Sequence, residues 1–511
     1  MTSIKSIKTT PLLVRDKIPY VWAQGVTYGA EVILIEIQTT DGVSGYGESI
    51  GAPLAAAVKP LIDMAAQHLI GESVFDNRRL MAQCAQSIFQ LHGIGRASGL
   101  GQQVLAGLEM AMWDAAGKTA GYAVHELLGG KVREEIEYFG FIQGDTAEEL
   151  ASHAADLVKE GHHVIYGKVG RGEQQDVEIV RQVRAAVGES VRLRFDPNEA
   201  WDPLTAVRMI RKLASYDIEM FEQPCDHRSL QALRQIRENS PVAIAADQSV
   251  FDAADVYNAV RMGAADLIVL GLHETGGVVP FIEAAAVAAA AGINICLHGV
   301  HETGITTCAS NHAAAVITNL DDGNQYMNHL LASDVISSPQ LSLVDGRLPV
   351  LAGPGFGFEI DTDAVAPNTY KWFLPISVSD EDLLAGEHVG SNRQQQADAI
   401  IAHLRDTGQL STDIPLLVGG DWNCPSHLDW TVDTARVYKR RRVLPLPVSM
   451  AMQSAGFTDT FRELYPNPVQ RPGITWSPMY RSKGESDEQV EQGFERIDRL
   501  DLKNLSSPKK N

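Results

Sequence analysis

The stretches HVIYGKVG (residues 163–170), RFDPNEAW (194–201), MFEQPC (220–225) and AADQSV (245–250) decide the fold. Each has an apolar or β-branched lead-in that ends on a charged residue: Lys168, Asp196, Glu222 and Asp247 in turn. These four follow one another at intervals of 28, 26 and 25 residues. That is the length of one strand–loop–helix–loop unit in a (β/α) barrel of about 250 residues. Charged residues at the C-terminal ends of barrel strands all point into one mouth. Three carboxylates and a lysine converging there imply a divalent-metal site beside a general base.

Outward from these stretches the alternation holds in both directions. EIEYFGFI (135–142) reads as strand one, and HHVIYGKV (162–169) as strand two. ADLIVL (265–270) is strand six, and INICL (293–297) is strand seven, delivering His298. Amphipathic helical runs such as DVEIVRQVRAAV and SLQALRQIREN separate the strands. Strands alternating with helices make a parallel sheet with crossover connections. Seven units with a final return make a barrel the best solution, because an open doubly wound sheet would want a Gly-rich phosphate loop after its first strand.

Before the barrel, residues 1–130 read as an α+β unit. VILIEIQTTDG closes on Asp41-Gly42, a hairpin signal, and returns through VSGYGES. Leu108, Met112, Ala115 and Ala116 recur at helical spacing, and Gly129-Gly130 are expected to stop that helix. Met110, Met112 and Trp113 read as buried core.

Composition sets the outer bounds. The chain has 511 residues, more than one ordinary domain. Its formal charge of −21 argues against nucleic-acid binding, which Lys and Arg carry. Five cysteines (Cys84, Cys225, Cys296, Cys308, Cys424) without paired or CxxC spacing fit a reduced, cytoplasmic setting and no structural zinc. The start, MTSIKSIKTTPLLV, lacks the apolar core of a signal peptide. The most apolar run, IEAAAVAAAAGINICL (282–297), is broken by Gly292 and falls short of the ~18 residues of a membrane span.

The residue types indicate a mechanism. Taking a proton from the carbon α to a carboxylate leaves an unstable dianion. A divalent cation held by carboxylates can stabilise that charge. Oxygen ligands from Asp196, Glu222 and Asp247, with positions left open, suit Mg²⁺ or Mn²⁺. Burial beside a cation makes an ammonium easier to deprotonate, so Lys168 is usable as a base. Tyr166 and Asn198 are expected in the mouth as substrate-orienting groups.

Residues 1 to about 365 resemble the enolase superfamily, specifically the mandelate racemase/muconate lactonizing enzyme family. GYGES, WDAAGKTAGYAVHELLGG, KVG, DPNEAW, FEQP, ADQS, the GG after strand six and LHGVHETGI carry the likeness. The resemblance implies a modified (β/α)7β barrel (131–340) under an N-terminal α+β capping domain (1–130, with a return segment at about 340–365). It also implies Mg²⁺ on Asp196, Glu222 and Asp247, a small carboxylate substrate, substrate selection by cap loops near residues 15–30, and a homo-oligomer. Departures from the family are equally specific. Its Lys-x-Lys is Tyr166-Gly167-Lys168 here. The strand-six lysine of the lactonizing and epimerase branch is Gly271, which also stands where the racemase branch has the aspartate partner of its histidine. His298 matches that histidine. The glutamate that the racemase branch has near its final strand is missing from MNHLL (327–331), and Glu302 is a substitute. A histidine without a carboxylate partner is a poor base but a usable acid. On that ground dehydration of a hydroxy or sugar acid is favoured over racemisation, epimerisation or cycloisomerisation. His273, His301 and Glu274 lie close by in the sequence and are candidates for the same role as His298.

After residue 365 the period stops. IPLLVGGDWN (414–423), GITWSP (473–478) and ERIDRL (495–500) resemble the endonuclease/exonuclease/phosphatase family. Its motifs fall on Asp421 and Asn423, on Thr475-Trp476 and on Arg496-Ile497-Asp498; the basic run Lys439–Arg442 reads as a solvated face. The first half of that fold and its terminal Asp-His are missing. Residues 366–511 therefore read as an incomplete α/β-sandwich module, a fused passenger without activity. The competing function classes are a phosphodiesterase or nuclease acting through this module, and a barrel that binds without turnover.

Overall fold

Alternation along the barrel strands determines what each side chain does. The computed structural model describes residues 2–22, 25–51, 55–89, 99–368, 393–411, 416–421, 428, 447–470 and 498–503. The chain forms two compact units, Met1–Tyr370 and Lys371–Asn511.

In the first unit, β1 (Ile4–Trp22), β2 (Gly25–Thr39) and β3 (Ser44–Ile50) form an antiparallel meander. The β2–β3 turn lies at Asp41-Gly42, with Gly42 at φ 88°. Helices α1 (Ala55–Ala66), α2 (Asn77–Phe89) and α3 (Leu100–Ala120) cover one face. Ile33, Ile35 and Ile37 of β2 pack there against Val58, Ile62, Leu80, Leu108 and Met112. Close approach of α3 to β3 requires Gly47, where a Cβ would lie 2.2 Å from the Gly107 carbonyl oxygen. The helix ends at Gly121, not at Gly129-Gly130. Gly121 adopts φ 73° and its N–H meets the carbonyls of Gly117 and Lys118, the left-handed stop that glycine allows. A separate turn, α4 (Val124–Leu127), follows. Met110 and Met112 are buried, and Trp113 is partly buried with its Nε1–H donating to Glu109 (2.7 Å).

The expected first barrel strand is two strands. β4 (Glu135–Glu137) leaves the barrel to pair antiparallel with β13 (Arg347–Pro349), and only β5 (Gly140–Phe141) joins the parallel sheet. The break falls where the Tyr138 N–H bonds to Gly346 O and the Phe139 N–H bonds to Asn324 O. The units that follow are α5 (Ala147–Lys159), β6 (Val164–Lys168), α6 (Glu173–Val187), β7 (Arg192–Asp196) and α7 (Pro203–Leu213). Next come β8 (Ile218–Glu222), α8 (Leu230–Asn239), β9 (Ala243–Ala246), α9 (Ala253–Met262) and β10 (Leu267–Leu270). A one-turn α10 (Leu272–Thr275), α11 (Val278–Ala290), β11 (Asn294–Leu297) and α12 (Gly304–Val316) complete the series. The seven strands β5 to β11 lie in sequence order. The segment 319–325 closes the ring, bonding to Ile295 and Leu297 on one edge and to Glu137 and Phe139 on the other. This is the (β/α)7β barrel with its α+β cap. β12 (Ile336–Ser338), β14 (Glu359–Ile360) and α13 (Thr362–Asn368) finish the unit.

Phe139, Phe141, Val164, Tyr166, Met220, Ala245, Val269 and Cys296 share the barrel interior. Ile165, Leu193, Phe195, Phe221, Ile244, Ile268 and Ile295 pack outward in the helix layer. Since side chains alternate along a strand, the next inward positions after Tyr166, Met220 and Ala245 are Lys168, Glu222 and Asp247. The apolar interior is the floor of the site.

In the second unit, helices Arg393–Asp406 and Pro447–Ser454 share a small core of Ile401, Met452 and Phe457. β15 (Leu416–Asp421), β17 (Asp498–Lys503) and β16 (Thr458–Asp459) form an antiparallel sheet in that order, with Asp421 opposite Asp498. Asn423, Thr475-Trp476, Arg496-Ile497 and Lys439–Arg442 lie outside the described residues. No described helix is long and apolar enough to cross a membrane.

Candidate active site

Of four neighbouring strands, β6, β7 and β8 end on Lys168, Asp196 and Glu222, and Asp247 directly follows β9; all four residues are buried. Lys168 Nζ donates to Asp196 Oδ2 (2.5 Å) and to the Tyr166 hydroxyl (3.1 Å). That hydroxyl lies 2.9 Å from Asp196 Oδ2 and 3.0 Å from Glu222 Oε1. The Asn198 N–H donates to Asp196 Oδ1 (2.6 Å), so Asn198 reaches the site by its backbone. Glu222 and Asp247 lie on the next two strands, and Asp247 Oδ2 is buried with no hydrogen-bond partner. Burial, reinforced by Asp196 and Asp247, pushes the Glu222 carboxyl well above the ordinary carboxylate range. Asp247 is pushed up to about 6, by burial first and then by Asp196 and Glu274.

The loops after these strands are tightly turned. Asn198 (φ 44°), Glu199 (φ 63°) and Gln223 (φ 29°) all adopt left-handed backbone conformations, a cost that surrounding structure must impose. Gln223, buried in the FEQP stretch, shows how. Its Oε1 accepts from the N–H groups of Asp247 (3.0 Å) and Ser249 (3.2 Å), tying the end of β8 to that of β9. FEQP stands out in the sequence, but nothing there marks Gln223 for this role.

On the far side of the carboxylates the structure corrects an expectation. His298 has a carboxylate partner: its Nδ1 lies 2.7 Å from Glu274 Oε1, with Asp247 Oδ1 at 3.8 Å. Burial disfavours the imidazolium, but Asp247 and Glu274 overcome it and push the ring up to about 10. Burial would raise Glu274 too, yet His298 holds it below its ordinary value. Glu274 comes from α10, one helical turn past β10, and Gly271 makes room for it. A Cβ on Gly271 would lie 2.6 Å from the His298 carbonyl oxygen and 2.7 Å from Glu274 Oε2. Gly271 has φ −130°, open to any residue, so space alone demands glycine. The two neighbouring histidines are engaged elsewhere. His273 bonds to Thr306 Oγ1 (3.0 Å), and burial lowers it to about 4. His301, at φ 69°, meets Asp16 of β1 (2.7 Å).

Glu302 accepts from the Val300 N–H (2.6 Å). Burial and then Glu48 push its carboxyl up to about 8, which favours the neutral form. Glu48 reaches in from β3 and accepts from the Thr303 N–H (3.0 Å), Thr303 Oγ1 (2.7 Å) and the Thr306 N–H (3.0 Å), capping α12. The capping strand β1 is tied down beside it. Lys17 Nζ donates to His329 O (2.9 Å), and the Ala332 N–H donates to Arg15 O (2.8 Å).

This site fits a divalent cation. Glu222, Asp247 and His298 each place one ligand atom within 4.8 Å of the others. Asp247 Oδ2 has no hydrogen-bond partner, and burial followed by Asp196 and Asp247 raises Glu222, so the carboxylates crowd one another in a way a cation would relieve. Asp196 adjoins this group through the Tyr166 hydroxyl, which bridges it to Glu222.

Comparison with known proteins agrees with this architecture. Residues 5–129 match the family model described as mandelate racemase / muconate lactonizing enzyme, N-terminal domain, and residues 149–364 match the model described as enolase C-terminal domain-like. Muconate cycloisomerase 1 of Rhodococcus opacus is 30% identical over 379 residues, 71% of this chain and 97% of that protein. The chain belongs to the mandelate racemase/muconate lactonizing enzyme family of the enolase superfamily. It is thus an enzyme of the superfamily. Among solved structures, the muconate lactonizing enzyme of Pseudomonas fluorescens complexed with muconolactone matches with a TM-score of 0.68 at 29% identity, over 72% of this chain and 100% of that one. The dipeptide epimerase of Enterococcus faecalis V583 complexed with Mg and L-Leu-L-Tyr matches with a TM-score of 0.64 at 26% identity, over 70% and 99%. Both family matches end before residue 366.

Proposed function

We propose that this family member moves the proton α to the carboxylate of a small substrate, with Lys168 and His298 as the two proton-carrying groups and racemisation or epimerisation as the outcome. One observation carries the reading: Lys168 ends β6 and His298 follows β11, so the pair flanks the carboxylates of β7, β8 and β9, and each has a carboxylate partner of its own. Asp196, Glu222 and Asp247 would hold Mg²⁺, which the Enterococcus faecalis epimerase structure contains. When bound, the ion supplies positive charge against the carboxylate group of the substrate and the charge that develops on it. Lys168 takes or returns the proton on one face. His298, oriented by Glu274, does so on the other. Glu302, buried near His298 and Glu274, would donate a hydrogen bond to a substrate oxygen.

Dehydration is the second reading. A histidine with no carboxylate partner favoured it, and Glu274 removes that ground. Dehydration keeps one support, because an imidazolium held by Glu274 can protonate a departing β-hydroxyl.

The test is NMR in D₂O with Mg²⁺ and a panel of amino acid, dipeptide, hydroxy acid and sugar acid carboxylates. Two-sided transfer predicts that Lys168→Ala and His298→Asn each still exchange the α-proton of one stereoisomer, and not the same one. Loss of water would select the second reading. Silence across the panel from Mg²⁺-loaded protein would overturn both.

A further inference from the structure

We propose that Tyr166 is a positioning residue that holds two cation-binding carboxylates in register without adding charge, and so sets the affinity of the site for Mg²⁺. The inference rests on the metal reading above. Position 166 is where relatives often have the first lysine of Lys-x-Lys, and the structure shows what a phenol does there instead.

The ring cannot swing. Tyr166 is fully buried, stacks on Phe139 at 4.3 Å with 7° between the planes, and meets Phe141 at 5.3 Å. Its hydroxyl is therefore fixed at one point among three strands, 3.1 Å from Lys168 Nζ, 2.9 Å from Asp196 Oδ2 and 3.0 Å from Glu222 Oε1. The hydroxyl accepts from the ammonium and has a single proton to offer the two carboxylates. Those carboxylates come from different strands and repel each other when ionised. A donor between them offsets part of that repulsion before any cation arrives. A lysine could make the same bonds, but its full positive charge would oppose a divalent cation at the same place. The neutral phenol leaves the negative charge of Asp196 and Glu222 to the ion. Partners that orient metal ligands typically change affinity by about 10- to 100-fold when removed.

The experiment is calorimetric titration of MgCl₂ into the EDTA-treated full chain, with no substrate present. Tyr166→Phe keeps the stack on Phe139 and loses only the hydroxyl. It should bind Mg²⁺ about tenfold or more weakly, and Tyr166→Lys more weakly still. Phe139→Leu loosens the ring but keeps the hydroxyl, and should weaken binding severalfold; it carries the test if Tyr166→Phe does not fold. A purely structural role would lower the melting temperature of the metal-free protein and leave Mg²⁺ affinity unmoved. Unchanged affinity in a folded position-166 variant, or in Phe139→Leu where neither variant folds, overturns the inference alone. Failure of the wild-type chain to bind Mg²⁺ overturns the metal reading and the inference together.

Discussion

The two sides of the mouth are built by different rules. From β6 to β9 each polar group sits at the next inward step of its own strand: Lys168 after Tyr166, Glu222 after Met220, Asp247 after Ala245. From β10 to β11 that rule fails. The inward step after Val269 is Gly271, empty by necessity, and the carboxylate that belongs there arrives from α10 as Glu274. A regular element places a side chain by counting, whereas a turn places it by folding back.

Breaking the regular side should have the largest effect. Lys168→Ala removes the group proposed to carry the proton on its face, and turnover should fall about 10³-fold, the middle of the range for a positioned acid or base. Stopped assays of epimerisation or water loss measure it. EDTA should abolish turnover as well, with Mg²⁺ restoring it.

The irregular side predicts a smaller and more selective loss. Glu274→Gln keeps a hydrogen-bond acceptor near His298 Nδ1 but removes the charge. Steps through His298 should slow about 10- to 100-fold, while α-proton exchange through Lys168 stays within a few-fold. Equal losses on both faces would sink the idea that Glu274 acts through His298.

Gly271→Ala tests the space itself. Its methyl would have to displace the His298 carbonyl or Glu274 Oε2, at a cost of about 1–3 kcal/mol typical of overpacking. Chemical denaturation should show that loss together with a weakened His298 face.

The last effect is read in stability against pH, not in turnover, and concerns Glu302. Its carboxyl is neutral up to about 8 in the folded chain, against an ordinary value of 4.5. A raised carboxyl stabilises the fold fully below the unfolded value, and that contribution is lost as pH rises through the folded one. The wild type should therefore lose stability between about pH 4.5 and 8 from this group. Glu302→Gln, isosteric with the neutral form, should flatten that part of the profile in urea melts at about pH 5 and about pH 8.

What the sequence disclosed follows the same division. The period of the barrel, the four strand-end charges and the Asp41-Gly42 turn are local patterns, and local patterns can be read. The break at Tyr138, where the N–H of one strand finds Gly346 far along the chain, has no local mark. The expected stop for α3 is Gly129-Gly130, but Gly121 ends it, because its left-handed backbone lets its N–H meet the carbonyls of Gly117 and Lys118. Glu274 was visible as a residue but not as a partner, since its reach depends on how α10 turns back over β10. The same holds for Gln223, whose amide oxygen serves a strand other than its own. In the second unit, β15 is the described part of the IPLLVGGDWN stretch, and the nuclease-like reading of Asp421 and Asn423 stays a resemblance.

Gly271 also measures a distance between designs. Placing there the lysine of the lactonizing and epimerase branch would set its first side-chain carbon against a backbone oxygen and the very carboxylate that orients His298. The lysine-bearing arrangement and this one are therefore not one substitution apart. Any path between them must move Glu274 and shift the backbone at 298, passing through an enzyme whose His298 has lost its carboxylate partner. A single-site library at position 271 cannot cross it.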